Sequence, residues 1–145
     1  MKLLRRRGFN VKLIVIGTLS EHSKDRSVEY RYGLRENEKN ELLCEAKALI
    51  PPSSYEALPY VALEAMACGT PVIVSTAVLE EVVINNFNGI RVNGFNPYDY
   101  ANALEKVLTD EELRLKLSRN GLEFVKQFDY VEIAKKYINI VSELL

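Results

Sequence analysis

The pattern of hydrophobic and polar positions is sharpest in the middle of the chain. Ala48, Leu49 and Ile50 form a short apolar run that Pro51 and Pro52 stop. Pro59 then suits a first helical position, where its missing N–H costs nothing and its φ is already helical. Val61, Ala62, Leu63, Ala65, Met66 and Ala67 carry a short helix, and Gly69 falls where a left-handed C-terminal cap is wanted. The run Pro71-Val-Ile-Val begins a buried strand. Strand, loop, helix, turn and strand in this order make half of a crossover unit of a parallel sheet. In such a unit the helix N-terminus lies at the carboxyl ends of the strands.

The flanking segments fit the same plan. Met1 to Gly8 reads as the last turns of an amphipathic helix, and Val11 to Ile16 as a strand apolar enough to be buried in a parallel sheet. Gly17-Thr18 ends that strand, and a polar loop runs from Leu19 to Ser27. Val28 to Tyr32 alternates as a short strand, followed by Gly33-Leu34 and a helix from Asn37 to Lys47. Beyond the central unit, Ser75 to Leu79 is a loop, and Glu80 to Ile84 is a helical turn or slightly more. Asn88-Gly89 marks a tight turn before the strand Ile90 to Val92. Asn96-Pro97 opens a helix whose Tyr100, Ala103, Leu104, Val107 and Leu108 recur at helical spacing. Asp110 caps the next, with Leu113, Leu117 and Phe124 to bury. Asp129 caps the last, whose stripe of Ile133, Tyr137, Ile140 and Leu144 suits a core or an interface. The predicted fold class is α/β, a Rossmann-like doubly wound parallel sheet in a single domain.

Composition narrows the function classes. With 145 residues, 19 Lys plus Arg and 20 Asp plus Glu, the chain is one domain of near-neutral charge, which argues against a nucleic-acid surface. Arg5-Arg6-Arg7 is the one dense basic cluster and reads as a solvated helix end. Cys44 and Cys68 sit in apolar helical settings without metal spacing, so two buried reduced thiols are expected, as in a reducing cytoplasm. His22 has no plausible second ligand, and no metal site or cofactor is called for. No apolar run approaches the roughly 18 residues of a membrane span, and no signal peptide is visible.

Two acids stand on the central unit, Glu56 in the loop and Glu64 on the helix, with seven residues between them. Both carboxylates can face one ligand at the mouth of the sheet. The N–H groups of Tyr60 and Val61 in the first helical turn point there too and favour an anion such as a phosphate. That combination suits a sugar joined to a diphosphate. From spacing alone, a loop glutamate acting as a helix cap and a solvated helix glutamate fit as well.

The residues Pro52-Ser53, Tyr55-Glu56 and Leu63-Glu-Ala-Met-Ala-Cys-Gly-Thr-Pro-Val72 closely resemble the E-x7-E segment of retaining family 4 glycosyltransferases, enzymes of two-domain GT-B architecture. The resemblance runs from Val11 to the end and is most specific in the central unit. There the segment belongs to the C-terminal domain, which holds the nucleotide-sugar donor. The resemblance implies that Glu56, the catalytic candidate, contacts and orients the donor sugar, and that Glu64 holds the ribose hydroxyls. Ala57, Leu58, Tyr60 and Val61 would line the diphosphate. Gly17 stands at the family's strand-then-glycine element, and Tyr32, Gly33, Leu34 and Arg35 would neighbour the base. A packed tyrosine and an exposed arginine account for Tyr32 and Arg35 equally well.

Several positions depart from the family. Ala57-Leu58-Pro59 replaces a small glycine-rich loop, and Pro59 has no N–H to offer a phosphate. Ala77 and Val78 stand where paired glycines are usual before the acidic position, here Glu81. The N-terminal acceptor-binding domain is absent, and so is the first strand of the donor domain with its basic residues. Residues 1–145 are therefore expected to be a nucleotide-sugar-binding domain truncated at its N-terminus. Because the first strand of a doubly wound sheet is central, its loss should leave a gap or expose pairing edges. The neighbouring strands would close on each other, or a partner chain would fill the vacancy. Membrane association would be available only through the missing domain.

The reaction implied is retaining transfer of a glycosyl group from a nucleoside-diphosphate sugar, with acceptor binding supplied by a separate domain or partner chain. The rival is a non-catalytic nucleotide-sugar-binding module or the assembly subunit of a split transferase. A glycoside-hydrolase reading fares worse, since nothing else builds a cleft with an acid and a base on opposite sides of a bond.

Overall fold

The computed structural model of the chain describes residues 1–17, 23–53, 56 and 58–144. Its elements are α1 (Lys2–Arg6), β1 (Leu13–Ile16), β2 (Val28–Arg31), α2 (Glu36–Glu45), α3 (Tyr60–Ala67), β3 (Ile73–Ser75) and β4 (Ile90–Val92). Three helices follow: α4 (Pro97–Thr109), α5 (Glu111–Val125) and α6 (Tyr130–Glu143). The strands pair in parallel, β1 with β2 from Leu13↔Val28 and β3 with β4 from Ile73↔Ile90. Residues 48–50 join the second pair through a parallel bridge, Leu49↔Val72. The chain is thus α/β and Rossmann-like, as its pattern predicts.

The centre of the sheet is buried on both faces because its side chains alternate between two cores. Val72 and Val74 pack with Leu43 of α2 and with Ala62, Leu63 and Met66 of α3. Ile73 points the other way, to Ile90, Val92, Val107 and Leu117. The predicted caps form as well. Asn96 Oδ1 accepts from Tyr98 N–H, Asp110 Oδ1 from Leu113 N–H and Asp129 Oδ1 from Val131 N–H.

Gly69 adopts φ +73 after α3. Thr70 N–H donates to Ala65 O and Gly69 N–H to Met66 O, the paired bonds of a Schellman end. Pro59 sits one place earlier than predicted, as the N-cap of α3.

Two expectations need correction and two are narrowed. Cys44 and Cys68 are not reduced thiols but a disulfide, with Cα atoms 4.7 Å apart, and Cys44 is exposed. Packing of α2 on α3 brings together two cysteines 24 residues apart, so unpaired thiols no longer argue for a reducing compartment. The strand at Val11 to Ile16 begins at Leu13 and is not buried, since Ile14 and Ile16 are 37% and 42% exposed. Residues 80–84, expected as a helical turn or slightly more, make a single turn, closed by Val82 and Val83 N–H on Leu79 O. The α6 stripe, expected at a core or an interface, joins no core of this chain, for no residue of α6 is buried.

The exposure of β1 has a geometric cause. The two strand pairs do not hydrogen-bond to each other. A cleft of about 540 Å³ separates β1 from residues 48–50. The neighbouring strands have therefore not closed on each other, and pairing edges stand open.

Gly89 needs its missing side chain for space, not for φ. A Cβ there would stand 2.6 Å from Val83 Cγ1 and 2.8 Å from Val72 Cγ2. Gly89→Ala should lower the unfolding free energy by about 1–3 kcal/mol through overpacking. The measurement is the urea midpoint at unchanged m-value. A loss under about 0.5 kcal/mol would show that the valines give way freely.

Candidate functional site

Parallel strands bring their carboxyl ends to one side, so the loops after β1, β2, 48–50 and β3 are where a ligand site of this fold is built. Gly17 follows β1 and Gly33 follows β2. Both have positive φ, +129 and +60, and no described residue within 4 Å of where a side chain would project. A ligand can therefore approach the backbone at both positions. Tyr32 is exposed and stacks on Tyr30, ring centroids 6.4 Å apart, while Leu34 is half-buried. Arg35 is held by its own helix: its N–H donates to Glu38 Oε2 at 2.7 Å and its guanidinium to Glu38 Oε1 at 3.2 Å.

Glu56 is partly buried and accepts from Ser53 Oγ at 2.7 Å. The loop carrying it is tied to the sheet twice. Ser75 Oγ donates to Ser53 O, and Glu56 itself makes a parallel bridge with Val78. Val78 thus occupies backbone-pairing space where the family resemblance expects a glycine. Arg91, which the sequence reading passed over, fixes this neighbouring loop. From β4 its guanidinium donates to the carbonyls of Val78 (2.8 Å), Val83 (3.1 Å) and Thr76 (3.2 Å). A charged residue inside an apolar strand was the available signal.

Glu64 lies in the middle of α3. Its Oε2 is shielded from solvent and stands 2.9 Å from Lys39 Nζ, placed as an ion pair rather than an aligned hydrogen bond. Lys39 also meets Glu36, 2.7 Å away on its own helix. The Glu36 and Glu64 carboxylates hold the Lys39 ammonium above the ordinary lysine pKa, against a smaller opposing effect of burial. Lys39 was not foreseen, since nothing local links it to an acid 25 positions on. Through it, the start of α2 and the middle of α3 share one site.

The start of α3 is less open than predicted. Tyr60 N–H is taken by Leu58 O at 3.0 Å, and Ala62 and Leu63 N–H by Pro59 O. No side chain caps the helix, and Val61 N–H has no partner among the described residues. Tyr60 is exposed, whereas Leu58 and Val61 lean on the core. Ala57 and His22 lie outside the described residues. Among the described residues no group of three His, Cys, Asp or Glu side chains could hold a metal, and no helix is long and apolar enough to cross a membrane.

This arrangement has recognisable relatives. Residues 1–124 match the family model of group 1 glycosyl transferases. An uncharacterized glycosyltransferase of Methanocaldococcus jannaschii is 32% identical over 96% of this chain, which spans only 38% of that protein. Among solved GT-B structures, sucrose-phosphate synthase of Thermosynechococcus elongatus superposes with a TM-score of 0.80. It is 27% identical, and the match covers 92% of this chain and 38% of the synthase. Anabaena HepE in complex with UDP-glucose gives a TM-score of 0.74 at 22% identity, over 82% of this chain and 33% of HepE.

The pairing of Lys39 with Glu64 fixes the sign of one pH effect. Its stabilisation is complete below the unfolded lysine pKa, about 10.5, and is lost as pH rises through the higher folded-state value. Lys39→Met should cost up to about 1 kcal/mol at neutral pH. Urea titrations of both proteins should show that difference shrinking once pH passes 10.5. A difference that stays constant would assign it to the lysine's methylene stem instead.

Proposed function

The chain belongs to the group 1 glycosyl transferases, and on that premise we propose that it is a donor-binding unit. It would hold a nucleoside-diphosphate sugar for transfer of the glycosyl group with retained anomeric configuration. The observation that carries this reading is the setting of α3: a helix start that no side chain among the described residues caps, with Glu56 in the loop before it and Glu64 along it. The UDP-glucose bound by HepE supports a nucleoside diphosphate as the donor's leaving part.

Charge accumulates on the departing diphosphate as the glycosidic bond breaks. The positive end of α3, chiefly the Val61 N–H, stabilises it there. Glu56, steadied by the Ser53 hydroxyl, orients the sugar through its hydroxyl groups. Glu64 takes the ribose hydroxyls, and Lys39 holds that carboxylate in place until they arrive. Gly17 and Gly33 leave room for phosphate and base, with Tyr32, Leu34 and Arg35 beside the base and Ala57, Leu58 and Tyr60 beside the phosphates. Neither glutamate acts as a nucleophile in this scheme.

The acceptor would come from a separate domain or a partner chain. The open cleft between β1 and 48–50 favours a second reading, a subunit that binds donor but needs a partner for turnover. Donor hydrolysis or transfer by the chain alone supports the first reading. Binding of UDP without turnover until a partner is added supports the second.

Titration calorimetry separates the two acids. Glu64→Ala should weaken UDP by about 1–3 kcal/mol, the worth of hydrogen bonds to a charged group. Glu56→Ala should leave UDP binding unchanged and weaken UDP-glucose. Unaltered UDP affinity in folded Glu64→Ala would reject the ribose role, and equal losses of both ligands in Glu56→Ala would reject the sugar role.

A further inference from the structure

Arg91 is the charged residue of β4, and its neighbours show where it points. Ile90 and Val92 are buried with Ile73, Val107 and Leu117 on one face of the sheet. Side chains alternate along a strand, so Arg91 emerges on the other face, beside the cluster that holds Val78, Val82 and Val83. A cation on that apolar face needs acceptors, and it finds them in the backbone. Nη1 donates to Val78 O at 2.8 Å and to Val83 O at 3.1 Å, and Nη2 donates to Thr76 O at 3.2 Å. The loop between β3 and β4 is gathered around one guanidinium at three points.

The N–H groups at the start of that loop are engaged elsewhere. Thr76 N–H donates to Val92 O at 2.9 Å, Ala77 N–H to Ser75 Oγ at 3.2 Å and Val78 N–H to Ser75 O at 3.2 Å. Three carbonyl oxygens turned toward one point repel each other, and a positive charge among them makes the arrangement favourable. Without that charge the carbonyls turn away, and the Val78 peptide turns with them. Val78 is 1% exposed and pairs with Glu56 in a parallel bridge. Leu58, two residues beyond Glu56, packs against the same apolar cluster. A rotation at Val78 therefore passes to Glu56 instead of being absorbed by free chain. Glu64 is held separately, by Lys39 of α2.

We propose that Arg91 is a positioning residue for the sugar end of the donor. Its guanidinium sets the Val78 peptide, and the Val78 bridge sets the attitude in which Glu56 meets the sugar hydroxyls. Arg91 touches no ligand itself and acts only through Glu56. The proposal rests on the donor reading of Glu56 and adds the residue that makes that acid selective for the sugar.

Titration calorimetry of the whole chain with UDP and with UDP-glucose tests it, through a double-mutant cycle. Arg91→Met should weaken UDP-glucose by about tenfold or more, as misplacement of a positioned group does, and leave UDP within about twofold. In the Glu56→Ala background the same substitution should cost UDP-glucose nothing further, because the group it positions is gone. Asn85→Ala removes the acceptor of the Arg91 N–H but spares the guanidinium, so both affinities should hold. Should Arg91→Met fail to fold, Arg91→Lys keeps the charge without the planar fork and should show the same split, only smaller. Equal losses of UDP and UDP-glucose, or the same loss in Asn85→Ala, would overturn the proposal in favour of general loosening of the loop. So would a full further loss in the Glu56→Ala background. Sensitivity to Glu56→Ala with indifference to Arg91→Met overturns the positioning role alone, whereas indifference to Glu56→Ala overturns the donor reading and this role with it.

Discussion

The structure depends on the burial of one short strand on both faces. Val72, Ile73 and Val74 are wholly inaccessible to solvent. Each such side chain stabilises the fold by about 1.5–3 kcal/mol relative to exposure. Their alternation commits α3 to one face and α4 with α5 to the other. The backbone of the same strand takes Leu49 on one side and β4 on the other. Everything that positions the loop before α3 follows from this arrangement, since that loop must connect residues 48–50 to a helix already fixed on the sheet.

The α2–α3 pair is the second constraint, and it is made of unlike bonds. The Cys44–Cys68 disulfide joins the two helices near their ends. Thr70 Oγ1 donates to Leu43 O at 2.6 Å within the buried region, and Lys39 reaches Glu64 nearer the start of α2. These contacts hold α2, which leaves the β1–β2 pair, against α3, which serves the β3–β4 pair. With the sheet itself divided by the cleft, this helix contact carries much of the mechanical connection between the halves.

The candidate site inherits both constraints. Glu56 sits on a loop fastened to β3 by Ser53 and Ser75 and to the following loop by its bridge with Val78. Arg91 then fixes that following loop through three carbonyls. The result is a site whose backbone is set by the sheet, while Glu56 is held by a serine hydroxyl and Glu64 by an ion pair, partners that a ligand can exchange. Preorganised backbone with exchangeable side-chain partners suits the binding of a charged, hydroxyl-rich ligand.

The sequence by itself determined whatever depends on neighbours within about a turn. The stop at Pro51-Pro52, the left-handed end at Gly69, the caps at Asn96, Asp110 and Asp129, and the buried run after Pro71 follow from local φ preferences, short side-chain bonds and period. The likeness of the central string to a sugar-transferring family was legible for the same reason, since that motif is contiguous. Tertiary structure alone decided the Cys44–Cys68 bond, the Lys39–Glu64 pair and the grip of Arg91 on its carbonyls. It also decided that β1, apolar enough for a buried strand, keeps one edge open. Each of these links residues brought together only when helices pack on a sheet, and the local pattern of hydrophobicity carries no record of which edge will find a partner.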